Sequence, residues 1–191
     1  MIQRKRLKCC FIGDYGVGKT CCLHALLDRP LTNVRSTVGI DFFSKTICVA
    51  NTDVHLSLWD TAGAERYRSL MHAYLRDADM VVLVYDLSKR DSNIVQWMRV
   101  IEQHHAKVVG VLGNKNDLTT EFDTDLDEIL FPWSRQPKTI LTGTCTSRNP
   151  DEVKHFLKKC LLALLRRKTS TEDHLNIQLN AHMPRSNKCC T

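Results

Sequence analysis

Eight residues near the start of the chain have the glycine, lysine and hydroxyl spacing that binds a polyphosphate. Residues 13–20 read GDYGVGKT. Glycines let the backbone bend so that successive N–H groups point at one anion, and a helix starting near Gly18 adds the positive end of its dipole. Lys19 can then reach the outer phosphates, and the Thr20 hydroxyl suits a bound Mg²⁺. The segment is predicted to be a phosphate-binding P-loop, rather than a glycine-rich turn that binds nothing. Its predicted nucleotide contacts are Asp14, Tyr15, Gly16, Val17, Gly18, Lys19, Thr20 and Cys21.

A second motif concerns the base of the nucleotide. Residues 114–117 read NKND, an N-K-x-D pattern that follows an apolar run. The Asp117 carboxylate can accept hydrogen bonds from N1–H and the 2-amino group of guanine, whereas adenine offers neither donor and would leave the carboxylate unpaired. The stem of Lys115 can lie along the base, and Asn114 can tie this loop to the P-loop. The motif therefore predicts guanine, which argues against a P-loop kinase or ATPase.

A third group of residues concerns the metal and the terminal phosphate. Residues 59–63 read WDTAG at the end of a predicted strand. An aspartate there can hold Mg²⁺ through water, and the Gly63 N–H can meet the γ-phosphate. Thr37, in an earlier polar connector, can supply a second hydroxyl to the metal. Alone, Thr37 is an ordinary loop residue and Asp60 a strand-end cap, but together with Thr20 they predict a Mg²⁺ site. Loss of the γ-phosphate would release both loops.

These motifs need a framework that brings the ends of several strands together. Apolar and alternating patterns predict six strands, at 7–12, 40–49, 54–60, 80–85, 107–112 and 139–142. A hairpin turn is predicted at 51–53. Helical patterns predict helices at 21–27, 66–76, 91–105, about 126–130 and 151–167. This order predicts an α/β fold with a mostly parallel six-stranded sheet and helices on both faces. The motifs would then meet beyond the carboxyl ends of the strands, where such sheets bind ligands.

Composition limits the classes of function. The 191 residues suit one domain with a short extension, and the net charge of +6 comes from basic residues at both ends. The nearly neutral body argues against a nucleic-acid-binding face. The nine cysteines follow no secretory signal and lack zinc-site spacing, so most are expected to be buried thiols in the reducing cytosol. No apolar run reaches the length of a membrane span.

The motifs together resemble those of the small GTPases of the Ras superfamily, and within it the Rab family. The resemblance covers about residues 7–167. Its segments are GDYGVGKT, STVGIDF at 36–42, WDTAGAERYRSL at 59–70, AYLRDAD at 73–79, VYDLS at 84–88 and GNKNDL at 113–118. It implies a monomeric P-loop GTPase domain (G domain) over 1–168 that cycles between GTP and GDP with Mg²⁺. It also implies effectors, an exchange factor and an activating protein, and a role in vesicle traffic. The implied catalytic positions are Lys19, Thr37, Gly63 and Ala64.

Three positions depart from the Rab pattern. Ala64 stands where Rabs usually have a glutamine that orients the attacking water, which predicts slow hydrolysis; a GTP-binding scaffold without useful hydrolysis is the alternative. Pro30-Leu31 stand where an aromatic ring usually packs on guanine, which predicts faster nucleotide release. Residues 143–147 read GTCTS where Rabs have a segment like ETSAK. There the Thr146 N–H can still meet the guanine carbonyl, but Ser147 cannot cover the base as a lysine stem does. The predicted guanine contacts of this segment are Cys145, Thr146 and Ser147.

The last part of the chain, 169–191, is polar and predicts a flexible tail. It ends Cys189-Cys190-Thr191, which is not a C-a-a-X box. The ending resembles the paired cysteines of Rabs, which implies geranylgeranyl groups on both, added by the prenylation machinery; exposed thiols are the alternative. Two lipid chains give durable anchoring. The protein is therefore expected to be cytoplasmic and peripheral on the cytosolic face of an intracellular membrane.

Overall fold

The computed structural model describes residues 4–63, 68–89, 93–119 and 125–181. For residues 68–69 and 168–181 it describes the backbone alone. Ala64, Cys189 and Cys190 lie outside the described residues.

A single six-stranded sheet forms the centre of the molecule. Its strands are β1 (Arg4–Ile12), β2 (Ile40–Val49), β3 (Thr52–Thr61), β4 (Met80–Asp86), β5 (Val108–Asn114) and β6 (Thr139–Thr144). They are arranged in the order β2-β3-β1-β4-β5-β6. β2 is antiparallel to β3, and every other neighbouring pair is parallel. The predicted α/β fold with a mostly parallel sheet is confirmed.

Helices cover both faces of the sheet. They are α1 (Lys19–Leu26), α2 (Arg68–Leu75), α3 (Ile94–Glu102), α4 (Leu126–Leu130) and α5 (Pro150–Ala181). One core forms where α1 and α5 pack on the sheet, and a second forms where α2, α3 and α4 pack on the other face. All seven residues of β4 and all seven of β5 are buried, as expected for strands covered on both sides. None of the helices in the described part of the chain combines the length and apolarity needed to cross a membrane.

Several boundaries differ from the prediction, and three of the differences change the path of the chain. The β2–β3 turn is at Ala50-Asn51, with φ values of 49° and 58°, and not at 51–53. Two left-handed residues make the tight turn that matches the twist of paired strands, which lets Val49 pair with Thr52. α3 ends at Glu102 rather than at 105. α5 continues to Ala181, so residues 169–181 are helical where a flexible tail was predicted; no glycine or proline interrupts them before Pro184.

Most of the cysteines in the described residues are buried thiols, as predicted. The buried ones are Cys9, Cys10, Cys22, Cys145 and Cys160, and all are free. Cys21 is half-buried and Cys48 is exposed.

Candidate functional site

The P-loop joins β1 to α1 and needs its glycines for two different reasons. Gly13, Gly16 and Gly18 have φ values of 137°, 76° and 96°, which side-chain-bearing residues avoid. A side chain would also clash with neighbouring atoms. A Cβ on Gly13 would lie 2.1 Å from the Val84 carbonyl oxygen, and one on Gly18 would lie 2.3 Å from Asn114 Nδ2. The loop is therefore held against the carboxyl ends of β4 and β5, where the sequence predicted it.

Lys19 lies inside this loop and is only 6% exposed. Its Nζ donates to the carbonyl oxygens of Gly13 (3.0 Å) and Asp14 (2.8 Å). Burial lowers the pKa of Lys19 to about 8, although Asp60 and Asp14 oppose the shift. A Cβ on Gly63 would lie 2.5 Å from Lys19 Nζ, so the chain after β3 packs directly on this ammonium group. The structure thus brings Lys19 and Gly63, two of the predicted catalytic positions, together.

The three predicted metal ligands meet at the end of β3. Asp60 is fully buried, and its Oδ2 accepts hydrogen bonds from Thr20 Oγ1 (2.7 Å) and Thr37 Oγ1 (3.1 Å). The two hydroxyl oxygens are 2.9 Å apart. Asp60 Oδ1 is also buried, and no residue that the structure describes donates a hydrogen bond to it. Burial raises the pKa of the Asp60 carboxyl.

This set of oxygens fits a Mg²⁺ ion. Buried carboxylate oxygens normally have a partner, so the free Oδ1 of Asp60 calls for a cation or an ordered water. Carboxylate and hydroxyl oxygens are hard ligands, and Mg²⁺ takes few of them from the protein and the rest from water and phosphate. Asp60 could therefore hold the ion with Thr20 and Thr37, the three ligands that the sequence predicts.

A cavity of about 190 Å³ lies between the P-loop and the connector. The connector is here the segment 31–39 between α1 and β2. The residues that line the cavity are Tyr15, Gly16, Gly18, Lys19, Thr20, Cys21, Val34, Arg35, Ser36, Thr37, Thr61 and Gly63. The Tyr15 hydroxyl lies 3.0 Å from Ser36 Oγ and so links the two walls. Most of the predicted phosphate contacts border this one space.

Asp14 and Val17 take part differently, because their side chains do not line the cavity. The carboxylate of Asp14 accepts hydrogen bonds from Trp97 Nε1 (2.9 Å) and Asn93 Nδ2 (3.0 Å), which fixes the P-loop to the start of α3. The Val17 side chain is buried in the core. Both residues can offer only backbone N–H groups to a phosphate.

The base-recognition loop is fastened to the P-loop by Asn114. This last residue of β5 is fully buried, and its Nδ2 donates to the Val17 carbonyl oxygen (2.9 Å). Its Oδ1 accepts from the Ser147 N–H (2.9 Å) and lies 3.7 Å from Cys145 Sγ. Lys115 Nζ donates to the Gly16 carbonyl oxygen (2.9 Å). Asn114 thus connects three segments that are far apart in the sequence: the P-loop, the N-K-x-D loop and residues 143–147.

Comparison with known proteins agrees with this geometry. A sequence profile described as the Ras family matches residues 8–146, which is most of the chain. The chain belongs to the Ras family. It is 45% identical over 120 residues to the Ras-related protein Rab-26 of Rattus norvegicus, an alignment that covers 60% of this chain and 47% of the relative. It is 42% identical over 120 residues to Rab-37 of Homo sapiens, with 60% and 54% covered. It is 40% identical over 126 residues to Rab-1D of Dictyostelium discoideum, with 63% and 62% covered.

These relatives confirm the resemblance to Rab-type small GTPases. The chain spans about half the length of the curated relatives that it matches.

One backbone group predicted to bind guanine is already hydrogen-bonded within this Ras-family chain. The Thr146 N–H, expected to meet the guanine carbonyl, donates instead to Glu152 Oε2 (2.9 Å). Glu152 lies in the first turn of α5, where the helix dipole stabilises an acidic side chain. The side-chain amides of Asn116 (3.3 Å) and Asn149 (2.8 Å) also donate to it. Residues 143–147 contain no acidic side chain. The motif therefore could not indicate that a carboxylate, that of Glu152, competes with guanine for the Thr146 N–H.

Replacing Glu152 by alanine is expected to tighten the binding of GDP by about threefold to tenfold. The change frees the Thr146 N–H for the guanine carbonyl, and one net hydrogen bond is worth about 0.5–1.5 kcal/mol. Competition against a fluorescent GDP analogue measures the effect. Asp151→Ala is the control, since it removes a charge from the same helical turn without touching Thr146. Equal affinities of the two variants would contradict the role given to Glu152.

Two charged residues that were not among the predicted site residues complete the base-recognition loop. Asp86, the last residue of β4, accepts a hydrogen bond from Lys115 Nζ (2.7 Å). Burial opposes ionisation of Asp86, but the hydrogen bonds from Lys115 and Ser88 outweigh it and lower the pKa of this carboxyl. Arg148 lies 3.2 Å from Asp117 Oδ2 and is 76% exposed. The position of Asp86 at a strand end is the signal that would have revealed it, whereas nothing in the sequence pattern points to Arg148.

Proposed function

We propose that this chain is a Rab-type molecular switch that binds GTP and GDP with Mg²⁺. The observation that carries the proposal is the contact of Asp60 with both Thr20 and Thr37. Thr37 belongs to the connector, so the connector position depends on the same oxygens that would hold the metal. Loss of the γ-phosphate would remove one partner of the metal and weaken the hold of the metal on Thr37. The connector would then be released.

Each predicted site residue has a physical task in this scheme. The P-loop N–H groups and Lys19 surround the phosphates, and the Gly63 N–H donates to the terminal one. Mg²⁺, held by Thr20, Thr37 and Asp60, would neutralise phosphate charge. Asp117 selects guanine, and Asn114 keeps the base-recognition loop in register with the P-loop. Lys115 stiffens that loop through Gly16 and Asp86.

The proposed hydrolysis is slow because of Ala64. The transition state of phosphoryl transfer needs a well-oriented water, and a methyl group can neither donate nor accept the hydrogen bond that orients it. The same residue favours a second candidate, a GTP-binding scaffold without useful hydrolysis. Single-turnover hydrolysis, with and without an activating partner, separates the two: a rate above that of free GTP supports the switch.

The membrane role is proposed from the family resemblance and from the adjacent cysteines at 189 and 190. Geranylgeranyl groups on Cys189 and Cys190 would attach the protein to the cytosolic face of an intracellular membrane. There, its GTP form would recruit effectors of vesicle traffic under the control of an exchange factor and an activating protein. Mass spectrometry of the protein from a eukaryotic host should find the added lipid mass, and two unmodified cysteines would contradict it.

Removing the metal tests the Mg²⁺ site directly. Chelation with EDTA is expected to speed the release of a fluorescent GDP by at least about tenfold, because the phosphates lose a divalent partner while Asp60 stays buried beside them. Asp60→Asn should release the nucleotide quickly in Mg²⁺ and respond little to EDTA. Release that is slow and indifferent to EDTA in the unaltered chain would contradict a Mg²⁺ ion at Asp60.

A further inference from the structure

One charged residue of the phosphate cavity belongs to none of the motifs. Arg35 lines the cavity. Among the described residues, the other basic side chain in the lining is Lys19. Arg35 is exposed. No carboxylate in the described ranges pairs with it, and none of their other groups accepts a hydrogen bond from it. An arginine that borders an anion site and has no partner in the described structure is available for a ligand.

The backbone around Arg35 is held on the phosphate side by its two neighbours. The Ser36 hydroxyl lies 3.0 Å from the Tyr15 hydroxyl of the P-loop. The Thr37 hydroxyl donates to Asp60 (3.1 Å) and is 2.9 Å from Thr20 Oγ1. Arg35 therefore directly precedes Ser36 and lies two residues before Thr37, and both of these residues are hydrogen-bonded at the cavity. The Arg35 side chain is long enough to extend over the cavity from there.

The position relative to the metal ligands indicates which phosphate Arg35 would meet. A Mg²⁺ ion held by Thr20, Thr37 and Asp60 would neutralise charge on the β- and γ-phosphates. Thr37 is the metal ligand that the connector supplies, whereas the P-loop and Lys19 line the same cavity from another part of the chain. A side chain two residues before Thr37 would therefore be within reach of the terminal phosphate, on the side that the P-loop does not enclose.

We propose that Arg35 binds the terminal phosphate of the bound triphosphate and so distinguishes GTP from GDP. The inference rests on the proposed function and adds a charged contact to the same site. A guanidinium group presents parallel N–H donors that match two phosphate oxygens. GDP lacks the group that Arg35 contacts, so the interaction contributes to the affinity for GTP alone. It also holds the connector closed only while the γ-phosphate is present.

The test compares the affinities of two nucleotides in four proteins. The probes are GDP and a non-hydrolysable GTP analogue, each measured by competition in Mg²⁺ on the full chain, Arg35→Ala, Arg35→Lys and Arg99→Ala. Arg99 is an exposed arginine on α3 that does not line the cavity, so its variant loses the same charge elsewhere. GDP affinity is the internal check that each variant is folded.

Arg35→Ala is expected to weaken the analogue by about tenfold or more, because a hydrogen-bonded charge pair is lost, and to change GDP affinity less than about twofold. Arg35→Lys should keep part of the affinity for the analogue, since it retains the charge but not the paired donors. Arg99→Ala should match the unaltered chain. Equal losses for both nucleotides, or no loss for either, would overturn the inference. If the unaltered chain binds neither nucleotide, the proposed function itself fails.

Discussion

An asparagine at position 117 will reverse the base preference of the protein. We expect Asp117→Asn to bind GTP on the order of a hundredfold more weakly and to bind xanthosine triphosphate better than the unaltered chain does. A carboxylate only accepts hydrogen bonds, which suits the N1–H and 2-amino donors of guanine. In an asparagine, the NH₂ group replaces one carboxylate oxygen, so a donor of the protein faces a donor of guanine. A buried polar group left unpaired in this way costs about 1–3 kcal/mol. Xanthine has a carbonyl in place of the 2-amino group and so accepts what the amide donates.

The contact of Asp117 with Arg148 does not prevent this recognition. The Arg148 side chain is 76% exposed, and exposed ion pairs contribute less than about 1 kcal/mol. Guanine can therefore displace the guanidinium at little cost. Competition between GTP and xanthosine triphosphate measures the preference, with Asp127→Asn on the surface of α4 as the matched control. Unchanged GTP binding by Asp117→Asn would contradict the role of the N-K-x-D motif.

Restoring a glutamine at position 64 should accelerate hydrolysis. We expect Ala64→Gln to raise the single-turnover rate by at least about tenfold, because the amide can orient the attacking water and a barrier lower by about 1.4 kcal/mol gives a tenfold faster reaction. The rate is measured by following phosphate release from protein preloaded with GTP, without an activating partner.

The control for this experiment separates hydrogen bonding from size. Ala64→Met introduces an unbranched side chain of similar length to glutamine but without the amide, and it should stay close to the slow rate. Equal rates for Ala64→Gln and the unaltered chain would reject the account of slow hydrolysis. A similar gain in Ala64→Met would mean that packing, and not water orientation, limits the reaction.

The framework of the site could be predicted because the sheet is mostly parallel. Buried parallel strands read as continuous apolar runs, and their carboxyl ends meet at one edge. That rule was enough to expect the P-loop, Asp60 and Asn114 to lie together. The structure adds distances: Asp60 accepts from Thr20 at 2.7 Å, and Asn114 donates to Val17 at 2.9 Å.

Contacts made to the site by residues outside the motifs could not be predicted. Glu152 reaches Thr146 because α5 begins beside residues 143–147, and this depends on how the helix packs on the sheet. The position of Arg35 in the lining of the cavity likewise depends on the path of the connector. The connector sequence has no periodic pattern from which that path could be predicted. The Ala50-Asn51 turn was missed because alanine rarely adopts a positive φ, so the polar residues after it were the stronger turn signal.

The most direct test of a guanine-nucleotide switch is the competition of GTP and ATP for the purified chain in Mg²⁺. GTP is expected to bind at least about a hundredfold more tightly than ATP, because ATP leaves the Asp117 carboxylate without its two donors. Equal affinities, or a preference for ATP, would contradict the guanine-nucleotide switch.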